Sequence, residues 1–170
     1  DAVATIGLTE SILTLIYSLA MGLSMGATAM VARRVGEKDI KSAEVAAAQA
    51  IFVGIGLSMA ISIVGVFFSE DLLRLMGASE QLIQKNSGYA RWMLSGNITI
   101  MMLFLINGIF RGAGDASIAM RSLWLANILN IILDPVFIFG LGPVPAFGVE
   151  GAAIATNLGR GVGVLYQIYH

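Results

Sequence analysis

Five apolar stretches, at residues 11–32, 45–68, 92–110, 119–141 and 151–170, take up most of this chain and are separated by four polar connections. A helix needs about 20 predominantly apolar residues to cross the hydrocarbon core of a bilayer, and these stretches have that length. Concealing five such helices on every face inside a soluble protein would take far more chain than 170 residues supply. The expected fold is an all-α polytopic membrane protein, a helical bundle whose first partner is the lipid bilayer.

Composition agrees and excludes most other classes. Hydrophobic residues make up 57% and charged residues 12% of the chain, against about 25% charged in an ordinary soluble domain; the mean hydropathy is +0.84. With no cysteine there is no disulfide framework and no thiolate metal site. One histidine, His170, leaves no material for a histidine-ligated metal or a serine–histidine couple. A formal net charge of −1 carries no basic bias, so nucleic acid is not an expected partner. The chain opens at Asp1 without a methionine or a basic, cleavable leader, and it stops inside the apolar run 165–170. It reads as part of something longer.

Lysine and arginine set the expected orientation. Arg33, Arg34, Lys38, Lys41, Arg111 and Arg121 lie at the first and third connections, whereas Arg74, Lys85 and Arg91 lie on the other side. The first and third connections are expected to face the cytoplasm. In the connection 69–91, Leu72, Leu73, Leu75, Met76, Leu82 and Ile83 fall at helical spacing, which predicts one or two short interfacial helices broken at Gly77. The connection 140–148, rich in glycine and proline, predicts a rigid outer turn. Gly22/Gly26, Gly108/Gly112 and Gly159/Gly163 each have the spacing that lets helix backbones approach closely.

Two motifs suggest chemistry and fail on context. Gly22-Leu-Ser24-Met-Gly26 matches the nucleophile elbow letter for letter, but it lies inside an apolar run with no strand before it and no histidine base nearby. Gly112-Ala-Gly114-Asp115 is too short and wrongly placed for a phosphate loop, and better fits a helix end followed by a new start. No enzyme activity and no cofactor are expected. The methionines at 21, 25, 30, 93, 101 and 102 fit either ordinary core packing or an adaptable binding surface.

The strongest functional signal is Asp134. An ionisable group at a helix centre in lipid costs about 2.5–3.5 kcal/mol on insertion scales, so a retained acid marks a working site. Asn127, Asn130 and Asp134 are spaced i, i+3, i+7 and share one helical face. Asp134 lies seven residues before Leu141, roughly 10 Å deep at 1.5 Å per residue. Thr156 reaches a similar depth in the next segment, so carboxylate, amides and hydroxyl can converge. Pro135 lacks an N–H and leaves the Ile131 carbonyl without its helical partner. Oxygen-rich sites suit a hard cation such as Na⁺ or an exchangeable proton. Asn107, Asn157 and Arg160 are further candidates for a polar cavity. Arg160, one turn beyond Thr156, could alternatively pair with Asp134 as a structural bridge.

At these residues the chain resembles the multidrug and toxin extrusion (MATE) family of secondary antiporters. The resemblance runs almost end to end: residues 22–39, Leu75-Met-Gly77-Ala with Tyr89, Asn107-Gly-Ile-Phe-Arg111-Gly-Ala-Gly114-Asp115, and Asn130, Asp134, Phe139-Gly140, then Gly148-Val-Glu-Gly151-Ala-Ala-Ile-Ala-Thr156. The family fold implies twelve helices in two six-helix lobes around a V-shaped cavity, of which this chain would supply helices two to six of the N-terminal lobe. It implies export of drugs and other xenobiotics, mainly organic cations, across the plasma (inner) membrane, driven by inward flow of H⁺ or Na⁺. It implies a cation site at Asn130, Asp134 and Thr156, completed by an aspartate from a first helix that this chain lacks. Transport would need that helix and the second lobe. Two rivals remain. A lipid-linked oligosaccharide flippase of the wider superfamily would carry several arginines for pyrophosphate, and here only Arg160 lies deep in a helix. A membrane-embedded enzyme would need paired catalytic groups, and none is visible.

Overall fold

The computed structural model describes residues 2–170. Asp1 lies outside the described residues, as does the side chain of Lys85. Six helices follow one another, α1 (Ala2–Gly36), α2 (Ile40–Leu75), α3 (Glu80–Ser95), α4 (Asn97–Gly112), α5 (Ala116–Phe139) and α6 (Val149–Tyr169), with no strand among the described residues. Four stretches are long and apolar enough to cross a membrane: Ile6–Gly36, Ile40–Leu75, Ser87–Gly112 and Ala116–Phe139. The chain is a multi-pass membrane protein.

The helices run further than hydropathy marks. Leu72, Leu73 and Leu75 do not form a separate interfacial helix; they continue α2 past a kink at Phe68, and the break at Gly77 is the turn into α3. The third apolar stretch, expected as one helix, is broken at Gly96 into α3 and α4. The fifth, α6, has 21 residues, about 31 Å at 1.5 Å per residue. Asn157, Arg160 and Gln167 keep its composition below that of the other four, and they are tolerated because α6 packs against α3, α4 and α5.

One local device closes three of the connections. Lys38, Gly77 and Gly114 each adopt a left-handed conformation, with φ of 59°, 89° and 94°. The amide of the next residue then reaches back five positions, as Asp39 to Arg34, Ala78 to Leu73 and Asp115 to Phe110, satisfying a carbonyl the helix end would leave open. Asp39 and Asp115 start the following helices by accepting the N–H of Ser42 and of Ser117, both at 3.1 Å. Each carboxylate also takes that serine's hydroxyl at 2.6 Å. The hydroxyl bond first, and the backbone bonds after it, hold the Asp115 carboxyl below the usual carboxylate range. The outer turn 140–148 is pinned by the Phe147 and Gly148 amides donating to the carbonyls of Phe137 and Ile138.

The bundle is organised around α4, whose Ile100, Met101, Met102, Leu103, Leu105 and Ile106 are buried and which touches every other helix. Its seam with α1 is polar and close. The Ser24 hydroxyl donates to the Phe104 carbonyl at 2.7 Å, and the Thr28 hydroxyl lies 2.8 Å from the Gly108 carbonyl. A side chain at Gly108 or Gly112 would overlap the α1 backbone at Ser24 or Thr28, and Gly159 and Gly163 face the α5 backbone in the same way. Gly22 and Gly26 lie on the exposed side of α1 and meet no neighbour among the described residues. The serine between them is the residue that packs. The outward faces are apolar, with Phe52, Phe67, Trp124, Ile131 and Phe139 exposed, while Ser24, Ser58, Asn97, Asn107, Ser122 and Gln167 are buried. Polar side chains inside and apolar ones outside are what lipid as solvent demands.

Candidate functional site

Helices α5 and α6 run antiparallel with their backbones in contact at Gly159, where Ala126 and Asn130 pack directly over the glycine. That register brings Thr156 level with the face of α5 carrying Asn130 and Asp134. The Asn130 amide forks between them: Nδ2 donates to Asp134 Oδ1 at 3.1 Å and to Thr156 Oγ1 at 3.2 Å. The Thr156 hydroxyl in turn donates to the Ala152 carbonyl at 2.8 Å, which fixes its oxygen lone pairs toward Asn130. The three residues form one half-buried, hydrogen-bonded cluster. α5 remains helical through Pro135, so the proline removes one donor without ending the helix.

Arg160 does not pair with Asp134. Among the described residues Asp134 takes part in no ion pair. Arg160 lies one turn deeper than Thr156, and its side chain crosses to α1, where Nη2 donates to the Tyr17 hydroxyl at 2.8 Å. Its guanidinium carbon also lies 5.7 Å from the centroid of the Tyr17 ring, within the range of a cation–π contact. A cavity of about 180 Å³ opens between α1, α4, α5 and α6, lined by Tyr17, Phe104, Asn127, Asn130, Thr156 and Arg160 among others. Asn130 and Thr156 thus belong to both the carboxylate cluster and the cavity.

The other two asparagines lie elsewhere. Asn107 is not in the cavity: Gln167 Nε2 donates to its Oδ1 at 2.6 Å and to Ser122 Oγ at 3.0 Å, forming a buried polar knot joining α4, α5 and α6. Asn157 closes the break between α3 and α4. Its Nδ2 donates to the Trp92 carbonyl at 2.9 Å, and its Oδ1 lies 3.3 Å from the Thr99 hydroxyl. Gly96 is required there because a Cβ would occupy the space of the Asn157 amide. From the other side of the break, Asn97 Nδ2 lies within hydrogen-bond distance of the carbonyls of Ser58 and Leu94 and of Ser62 Oγ, and shares its two N–H groups among them. Tyr17 was not among the candidates read from the sequence. The one signal it offers is a phenol in the middle of an apolar stretch, which needs a partner when buried.

The sequence model of the MatE family matches residues 1–136. A FAD transporter of Shewanella oneidensis is 33% identical over 156 residues, covering 92% of this chain and 34% of that protein. A probable multidrug resistance protein, NorM, of Thermotoga maritima is 31% identical over 163 residues, covering 95% of this chain and 35% of that protein. A solved structure described as the inward-facing conformation of a multidrug resistance MATE family transporter of the MOP superfamily superposes with a TM-score of 0.90 at 38% identity, covering 99% of this chain and 37% of that one. The chain therefore spans about a third of the length of the relatives it matches.

Proposed function

The chain belongs to the MatE family, a family of membrane transporters rather than enzymes, and on that premise we propose that the full protein exports drug-like organic cations across the plasma membrane in exchange for H⁺ or Na⁺. The chain supplies helices two to six of the first lobe, α3 and α4 together making helix four. The observation that carries the reading is the Asn130–Asp134–Thr156 cluster: one membrane-embedded carboxylate, unpaired with any described cation and held by an amide and a hydroxyl. An incoming proton or Na⁺ competes with the Asn130 N–H for the carboxylate oxygen. Its arrival frees the amide to turn its own oxygen toward the site, and so changes the bonds that tie α5 to α6. A coupling ion can drive a conformational change only through such a difference in its affinity for two states.

A flippase for lipid-linked oligosaccharides is the second reading. Arg160 is the one arginine lining the cavity among the described residues, and a diphosphate-gripping cavity would hold several, so export of small molecules is the better account. The test is ethidium efflux from proteoliposomes containing the full-length protein, with a pH or a Na⁺ gradient imposed separately. One of the two gradients should accelerate efflux well above that of equilibrated vesicles. Identical rates under all three conditions would remove ion coupling from the proposal.

The sidedness gives an independent expectation. Lys38 and Ala116 are exposed at the first and third connections, which the basic residues assign to the cytoplasm. In an otherwise cysteine-free full-length protein, Lys38→Cys and Ala116→Cys should resist a membrane-impermeant maleimide in intact cells and label after permeabilisation. Labelling of either in intact cells would reverse or break this topology.

A further inference from the structure

Arg160 is more than the cluster at Asp134 needs. Its Nη2 is held by the Tyr17 hydroxyl at 2.8 Å, and Nη1 is buried with no partner among the described residues. A buried guanidinium N–H left unsatisfied is costly, because the donor has given up its water without gaining an acceptor. The Arg160 side chain also lines the cavity beside the cluster. The cavity it borders holds about 180 Å³ and also exposes Asn127 and Thr156, so an oxygen entering from the cavity would meet a guanidinium and neutral polar neighbours. The Asp134 carboxylate stands beyond Asn130 in the hydrogen-bonded row and makes no ion pair with Arg160. Tyr17 holds the guanidinium in place through both its hydroxyl and its ring.

We propose that Arg160, positioned by Tyr17, is an oxyanion subsite whose guanidinium receives the carboxylate or phosphate group of a transported molecule entering the cavity it lines. This deepens, and rests on, the export reading: the first-lobe cavity becomes bipolar, with the coupling carboxylate toward the outer side and a fixed cation one turn deeper. Zwitterionic and acidic compounds then belong to the substrate range alongside simple cations. Charge-assisted hydrogen bonds to a planar fork are the strong ones, which makes the preference measurable.

The experiment uses the full-length protein and two dyes that differ by one charge, a carboxyrhodamine with a free carboxylate and its methyl ester, with binding followed by fluorescence polarisation. Arg160→Gln should weaken the carboxylate dye by roughly ten- to a hundredfold and leave the ester within about twofold, while Arg160→Lys, which keeps the charge, should recover part of the loss. Tyr17→Phe, which preserves the ring and removes the hydroxyl, should weaken the carboxylate dye selectively by a smaller factor, and it carries the test if Arg160→Gln does not yield folded protein. Equal losses for the two dyes, or no loss for either, would overturn the subsite. Gradient-driven efflux of the ester by the unmutated protein is measured in parallel, so failure of the export reading shows up separately from failure of the anion subsite.

Discussion

Asp134→Asn in the full-length protein should reduce gradient-driven efflux to the level of protein-free vesicles while leaving expression and thermal stability near those of the unmutated protein. The substitution is nearly isosteric and keeps an oxygen that can accept from Asn130 Nδ2, whose present bond to Asp134 Oδ1 is 3.1 Å. It removes the negative charge that an incoming proton or Na⁺ would neutralise, and with it the ion's differential affinity for the two states. Undiminished pH- or Na⁺-driven efflux by this variant would end the coupling role of Asp134. The hydrogen-bond geometry adds a second arm. Because the Asn130 amide joins Asp134 and Thr156 in one row, the three should behave as a unit, and residues acting as a unit are strongly non-additive. Asn130→Ala or Thr156→Val should each lower ion-dependent protection against thermal unfolding, and neither should lower it further in the Asp134→Asn background. Additive losses would mean three independent polar residues.

The second large effect is structural. Gly108→Val should strip the full-length protein of most of its folded yield, because the added side chain would overlap both the carbonyl and the hydroxyl of Ser24 and force α1 from α4. Overpacking of a close interface costs about 1–3 kcal/mol where neighbours can shift, and here the obstacle is backbone. The same movement would break the bonds from Ser24 to the Phe104 carbonyl and from Thr28 to the Gly108 carbonyl. Gly56→Val is the control, since Gly56 lies on the outward face of α2 with open space around it. Size-exclusion profiles after a heating series would compare them. Equal melting of the two variants would show that the α1–α4 approach is not a constraint on the fold.

Much of the site was legible without coordinates. An acid in an apolar run stands out because the cost of charge in hydrocarbon is large and local, and helical periodicity alone places Asn130 on the face of Asp134. Thr156 followed from counting residues inward from a shared outer turn, and the structure sets its hydroxyl against the Asn130 amide. The same counting put Arg160 on the Thr156 face but could not show how far a long side chain reaches. It reaches a tyrosine on α1, 143 positions away in sequence.

Asn107 and Asn157 show the limit more sharply. As sequence, each is an amide in an apolar helix and equally a cavity candidate. In space one joins Gln167 and Ser122 in a buried knot, and the other repairs the broken helix at Gly96. The glycine pairs divide in the same way: Gly108/Gly112 and Gly159/Gly163 meet a backbone, and Gly22/Gly26 meet nothing among the described residues. The amino-acid sequence by itself determined the class, the number of apolar stretches, the turn positions and the costly residues, because transfer energies and turn propensities act within a few residues of where they are written. Which polar group satisfies which other was decided by the tertiary structure. In helices apolar on nearly every face, periodicity does not say which face turns inward, and the partners that settle it lie up to 143 residues apart.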